Sequence, residues 1–428
     1  MAHEPERARP GLRQAVVALQ HRDFTLFYSA LLVATIGSQL QSTVNLLQVY
    51  DLTGSALHLG LTGLVRGIPI MALSLAGGVI ADRIDRRRFI MVTQVLTGLT
   101  SVFLAFVTWT NQVEVWHIYA VVLASGVLQA INSPARSAML PNLVPRHHLM
   151  NAIALNSTTW QASNILGPAL AGLAIPAVGM ANTYLLNGAA HLVTLLGLAL
   201  MTVGPVAARP RESPLRSVVE GLRFVRLRSI ILVLLAMDSA AVFFGSYRAL
   251  LPIFGDHLDV GQQGTAFLMA APGAGSLMGA AAIMSLGDVR HKGVLVVVGI
   301  LAYCGALVAL AVSPWFALSL GATFLLGAFD SLQATPRNVV IQMITPDELR
   351  GRVFAFHGML TAGVPSLGMG YTGGLAALVG APLAMIGGAA VCASVVLGLT
   401  AARRDLLDPD LGSAPARAPT SGTAPARV

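Results

Sequence analysis

Charge is scarce in this sequence. Asp, Glu, Lys and Arg make up 11% of its 428 residues, against 55% hydrophobic ones. A soluble domain carries roughly 25% charged residues. Too little polar surface is left to face water, so lipid must be the solvent for most of the chain. Cysteine is nearly missing: Cys304 and Cys392 lie inside apolar runs, outside any CxxC or metal-ligand spacing. Nothing therefore points to a disulfide, a metal site or redox chemistry. The chain has no G-x-x-x-x-G-K-[ST] phosphate loop, no HExxH and no GxSxG, and His117, His191 and His257 are scattered. ATP hydrolysis and intramembrane hydrolysis thus lack their sequence marks, and no cofactor is expected. The period-2 alternation of membrane barrels is absent too.

Long apolar runs are what the chain has. They fall near residues 24–49, 58–81, 89–109, 116–133, 150–177, 183–203, 229–254, 264–286, 293–312, 316–334, 353–378 and 381–402. A span needs about 20 apolar residues, and lipid admits only helices or closed barrels. The runs predict an all-α membrane protein of twelve transmembrane helices. The first run is too long for a cleavable signal and is read as a retained helix. The chain divides into a tail, 1–23, a six-helix bundle, 24–203, a polar linker, 204–228, a second bundle, 229–402, and a tail, 403–428, whose composition predicts disorder.

Of the 27 basic residues, all but Arg66 and Arg248 fall in the two tails, the linker and the loops after even-numbered runs. Loops on the other side hold only the acids Asp51, Glu114, Asp256 and Asp259. By the positive-inside rule both termini are expected in the cytoplasm, in a cytoplasmic (inner) membrane. This also accounts for the net charge of +8 without nucleic acid. The halves repeat: Gly126, Arg136, Pro145, Gly167 and Gly172 match Gly327, Arg337, Pro346, Gly368 and Gly373 at an offset of 201, and Asp82 matches Asp288 at a slightly larger one. Parallel six-helix halves are a transporter design, with the substrate between them near mid-membrane.

The loop after the second run reads Gly78-Val-Ile-Ala-Asp82-Arg83-Ile-Asp85-Arg86-Arg87-Arg88. It resembles the G-x-x-x-D-R-x-G-R-R/K signature of the major facilitator superfamily, with Asp85 in place of the second glycine. The second half keeps a worn copy, Gly287-Asp288-Val-Arg290-His-Lys292. The fifth run contains Gly167-Pro168-Ala-Leu-Ala171-Gly172, similar to the G-P-x-x-G-G antiporter motif, with Ala171 at the first closing glycine. Pro134-Ala-Arg136 through Pro145, answered by Pro336-Arg337 and Thr345 through Arg352, is expected in the cytoplasmic loops after runs 4 and 10. Together these resemble the drug:proton antiporter family 3 branch, with its macrolide-efflux and enterobactin-exporter-like members. The resemblance spans about residues 20–402. It implies a cytoplasmic latch between the halves built from Asp82 and the basic run. It also implies contact between helices 5 and 8, where Gly275 and Gly279 offer a close-packing face.

Four ionisable residues lie within the predicted spans: Arg66, Asp238, Arg248 and Asp330. Such charges usually face a cavity or a partner. Asp238 and Arg66 are close in depth, which allows an ion pair between the halves. Asp238 is the first candidate for proton coupling and Asp330 the second, while Arg248 is expected to snorkel outward. Gln39, Ser42 and Asn45 form a polar stripe at helical spacing, with Gln41 beside it, suited to a substrate cavity. Trp160, Gln161 and Asn164 are weaker candidates. The expected function is export of a small molecule by proton antiport and alternating access, by a monomer whose partners are substrate, protons and lipid. Uptake, lysolipid movement between leaflets and a non-transporting sensor are the alternatives.

Overall fold

The computed structural model describes residues 17–81, 85–202, 214–287 and 289–408. Asp82 and Arg83 of the loop signature, Asp288, most of both tails and 203–213 of the linker lie outside the described residues. Within them the chain forms helices and no strands. The long rods are α1 (Arg22–Thr53), α2 (Ala56–Ala81), α3 (Arg86–Trp109) and α4 (Val115–Met139), then α5 and α6 within Leu149–Ala199. After the linker come α7 (Ser229–Phe244), α8 (Gly261–Leu286), α9 (Lys292–Ala311), α10 (Phe316–Ile344), α11 (Asp347–Val379) and α12 (Ala381–Ala402). Among the described residues, ten helical stretches are long and apolar enough to cross a membrane. One of these holds both α5 and α6, and α11 adds a further rod of 33 residues, which gives the expected twelve.

The ends of the rods have local causes. Asp85 caps α3, its carboxylate accepting from the backbone N–H of Arg87 at 3.0 Å and Arg88 at 3.3 Å. Gly54, at φ 58°, closes α1. Gly179 turns α5 into α6 at φ 81°, ψ 166°, and Gly380 turns α11 into α12 at φ 85°, ψ 155°. These two glycines are again 201 residues apart, in a region of backbone space that is essentially glycine's alone.

Within the first half α1 packs on α5 and α6, α3 on α6, and α4 on α2; within the second, α8 and α9 pack on α10, while α7, α11 and α12 pack together. The repeat governs the close approaches. Gly126 lies against the backbone of Arg66 on α2, and Gly327 against Pro272 on α8. Gly167 meets Gln39 and Leu40 on α1, and Gly368 meets Val242 and Phe243 on α7. Gly172 faces Ala266 and Gln263 on α8, and Gly373 faces Ala56 and Gly60 on α2. The last pair lies in the two seams between the halves, α5 with α8 and α2 with α11. Small residues let backbones approach in lipid, where packing rather than hydrophobicity drives association. Outward faces carry the apolar residues left for lipid, such as Leu99, Phe103 and Phe106 on α3 and Leu192, Val193 and Leu196 on α6.

Several expectations need correction. Gly275 and Gly279 pack on Phe324 and Ala328 of α10, within their own half; Gly273 is the glycine of α8 that meets α5, at Asn164 and Ile165. The seventh run is not one helix. It stops at Gly245, whose carbonyl accepts a hydrogen bond from the Tyr303 hydroxyl at 2.8 Å, and resumes as a turn at Arg248–Leu250 and a short helix, Leu251–His257. Part of the linker is an amphipathic helix, Pro214–Leu227, lying on α11. Gly221 abuts the backbone of Arg352 there, and Glu220 pairs with the Arg352 guanidinium. Finally, α4 and α10 run on past the ends of their apolar runs, to Met139 and Ile344. Arg136 and Arg337 are therefore helix residues, not loop residues.

A central cavity and its charged rim

Both termini of the bundle, Arg22 and Ala402, mark one end of the rods, called here the terminal end. At the far end the halves are tied together. The Tyr50 hydroxyl donates to Asp256 at 3.1 Å, and the Gln262 amide donates to Asp51 at 2.5 Å. The α2–α11 seam continues inward through Gly63 with Met369 and Gly67 with Ser366.

Below these contacts lies a cavity of about 390 Å³. It runs from Asn45, Thr62 and Met269 down to Leu31, Leu140 and Asn156 near the terminal end. All three residues of the predicted stripe line it. Gln39 donates to Asn164, Ser42 accepts from Arg66 at 3.4 Å, and Asn45 accepts from the Tyr184 hydroxyl at 3.0 Å. Gln41 and Trp160 also line it, while Asn164 acts behind Gln39. A pocket of this size suits a drug-sized molecule, and most of the side chains that line it are polar, with Leu31, Leu46, Val122 and Met369 among the apolar ones.

The interior charges take partners other than those expected. Asp238 does not meet Arg66. It is 5% exposed and forms an ion pair with Arg337, itself 4% exposed. Gln333 completes that cluster, donating to Asp238 at 3.3 Å and to Asp330 at 3.1 Å while accepting from Arg337 at 2.8 Å. The expected pairing rested on depth along the rods, and depth carries no information about azimuth. Arg66 instead donates to Gln129 at 3.0 Å and to Ser42, and it lines the cavity. Arg248 sits in the turn after α7 and lines the cavity rather than snorkelling away. Asp330 is exposed, at the position equivalent to cavity-lining Gln129.

Arg136 is the cavity residue the sequence reading missed. Its guanidinium donates to Thr35 on α1 at 3.3 Å, the geometric counterpart of Arg337 with Asp238 on α7. His191, buried and bonded to Gln94 at 2.6 Å, and Asn187, donating to Gln41 and to Ser101 at 2.9 Å, also line it. The repeat could have flagged Arg136: two arginines at matching positions are unlike loop anchors, which need no register.

Two arginines of the basic loop reach helix ends of the first half. Arg86 donates to the Ala138 carbonyl at 3.1 Å, and Arg87 to the carbonyls of Leu198 at 2.9 Å and Ala199 at 2.8 Å. These are the C-terminal ends of α4 and α6, where carbonyls lack helical partners and the dipole is negative. The contacts described for Arg86 and Arg87 clasp three helix ends of one half, and the implied latch between the halves rests on Asp82, which lies outside the described residues.

Comparison with known proteins agrees with this architecture. The family model described as transmembrane secretion effector matches residues 14–416. The enterobactin exporter EntS of Shigella boydii is 25% identical over 358 residues, covering 84% of this chain and 86% of that protein. Its Escherichia coli relative is 24% identical over the same length. Among solved structures, a bacterial homologue of the human lysosomal transporter Spinster, inward-facing and unoccupied, superposes with a TM-score of 0.66 at 14% identity, over 92% of this chain and 97% of that one. The nucleoside transporter NupG superposes at 0.67 with 11% identity, over 90% and 99%. The chain thus belongs to the transmembrane secretion effector family, and it is a multi-pass transporter of the major facilitator superfamily, not an enzyme.

Proposed function

We propose that this transporter exports an amphipathic small molecule, of siderophore or drug type, from the cytoplasm in exchange for protons. The observation that carries the reading is the cavity, closed by seams at the far end and reaching toward the terminal end. The basic residues gather at the terminal end, so the positive-inside rule puts it in the cytoplasm with both termini and the linker. The cavity is then poised to load from inside. The halves, 24–203 and 229–402, would rock about the seams to release outward, as a monomer. The kinship with enterobactin exporters supports the outward direction.

For proton coupling we assign Asp330 ahead of Asp238, reversing the order the sequence suggested. Asp238 is held by a buried arginine, and releasing it would strand that charge. Asp330 is exposed and bonded to a neutral amide, so it can gain and lose a proton without breaking an ion pair.

The test is flux into everted membrane vesicles with an imposed acid-inside gradient, using enterobactin and a panel of macrolides. Uptake that collapses with a protonophore is expected. Uptake that persists unchanged would overturn antiport, and no uptake of any compound would overturn the substrate class. Asp330→Asn should keep downhill exchange and lose pH-driven accumulation; accumulation equal to the parent would send the proton path elsewhere.

A further inference from the structure

The cavity is lined mostly by polar side chains, and the formally charged ones are all cationic. Arg66, Arg136 and Arg248 all line it, and no Asp or Glu among the described residues does. The two deepest in the first half are satisfied by neutral groups: Arg66 by Ser42 and Gln129, Arg136 by Thr35. Arg248 belongs to the second half, in the turn after α7, so the charge that the first half places on the cavity is Arg66 and Arg136.

The second half shows what the same scaffold does with a purely structural arginine. Arg337, the mate of Arg136, is sealed from the cavity and neutralised by Asp238. In the first half the carboxylate's place is taken by Thr35, and the arginine is only partly buried on the cavity wall. A guanidinium has five donors in a flat fork, and one bond to Thr35 leaves most of them directed elsewhere. Charges kept inside a membrane bundle normally have a partner. A structural partner is supplied to Arg337 and withheld from Arg136.

We infer that the missing partner is an oxyanion on the transported molecule, a carboxylate or a group of like shape, that docks on Arg136 with Arg66 beside it. This rests on the transport reading and narrows its substrate class to amphipathic anions. Apolar walls from Leu31, Leu46, Val122 and Met369 would hold the rest of the molecule. Planar oxyanions suit a guanidinium because two parallel N–H···O bonds can form.

The experiment measures binding to the purified full-length protein in detergent with a matched probe pair, naphthoate and its neutral amide, under one ionic strength. The parent should prefer the anion by at least about tenfold, the scale of one charge-assisted hydrogen bond. Arg136→Gln should lower the preference to near unity, chiefly by weakening the anion's binding. Thr35→Asp should do the same with Arg136 intact, because it installs the ion pair of the second half. If Arg136→Gln fails to fold, Thr35→Asp and Arg66→Gln still decide. Equal affinity for both probes in the parent, binding of neither, or a preference that survives Thr35→Asp would overturn the inference. Flux in proteoliposomes is scored separately. Anion preference without flux would sink the transport reading alone, and flux indifferent to substrate charge and to Arg136 would sink this one alone.

Discussion

The two halves share a scaffold and differ in what they put inside it. Applying the repeat offsets, Gln94, Ser101, Tyr184, Asn187 and His191 of the first half stand where the second has Ile300, Leu307, Met385, Gly388 and Cys392. The first set is a hydrogen-bonded network joining α1, α3 and α6. The second is apolar core, with Ile300, Leu307 and Cys392 fully buried. At the arginine pair the polarity reverses: the second half has the full ion pair and the first a hydroxyl. Geometry is set by the small residues that the halves hold in common, whereas chemistry is set by the residues at which they have diverged. The first half gives a polar wall to the cavity, and the second seals one ion pair away from it and sets Arg248 on its rim.

The sharpest way to break this comparison is to remove charge at matching positions. Asp238→Asn should destabilise the protein by about 3–5 kcal/mol, because Arg337 is left buried and unpaired. Thr35→Val should cost no more than about 1 kcal/mol, since Arg136 still reaches the cavity. Thermal unfolding in detergent reads both, and Asp238→Asn combined with Arg337→Gln should recover most of the loss. Similar costs at the two sites would mean that the arginines are not differently used.

A second contrast concerns the seams. A Cβ at Gly373 would lie 2.7 Å from the Ala56 carbonyl oxygen and the Gly60 nitrogen, both backbone, whereas one at Gly172 would meet nothing nearer than the Ala266 Cβ at 3.0 Å. Gly373→Ala should therefore cost about 1–3 kcal/mol and Gly172→Ala clearly less. A larger loss of melting temperature at Gly172 would contradict the closer approach of α2 and α11.

The smallest expected effect sharpens the contrast at the loops. Asp85 caps α3, while His291, before α9, makes no side-chain cap. Asp85→Ala should cost about 1 kcal/mol, and His291→Ala should leave the melting curve unmoved. Equal shifts would deny Asp85 its capping role.

Much of the architecture was legible because membrane rods advertise themselves by apolar length. The twelfth run, 381–402, coincides with α12. The repeat was legible because close backbone approach needs Gly wherever it recurs. The polar ends of α4 and α10 were misread as loops for a physical reason: hydropathy cannot separate a helix end facing an internal cavity from one leaving the membrane. The break in α7 was hidden because an apolar run stays apolar across a turn. Side-chain partners were beyond reach where they depend on azimuth, as the exchange of Arg66 for Arg337 beside Asp238 shows. Gln39, Ser42 and Asn45 were found because helical spacing does encode a face.

The tight approach of Gly60 to Gly373 has a mechanical consequence. Two glycine backbones in contact have no rotamers to match, so the surfaces can part and meet again without side chains having to find register. From Gly63 to the end of α2 at Ala81 is about 27 Å of helix. Tilting that rod by about 10° around the seam swings its other end by about 5 Å over that arm. If the halves rock about this seam, as proposed, it would serve as a fulcrum with α2 as the lever, turning a small tilt into a displacement of several ångströms at the terminal end.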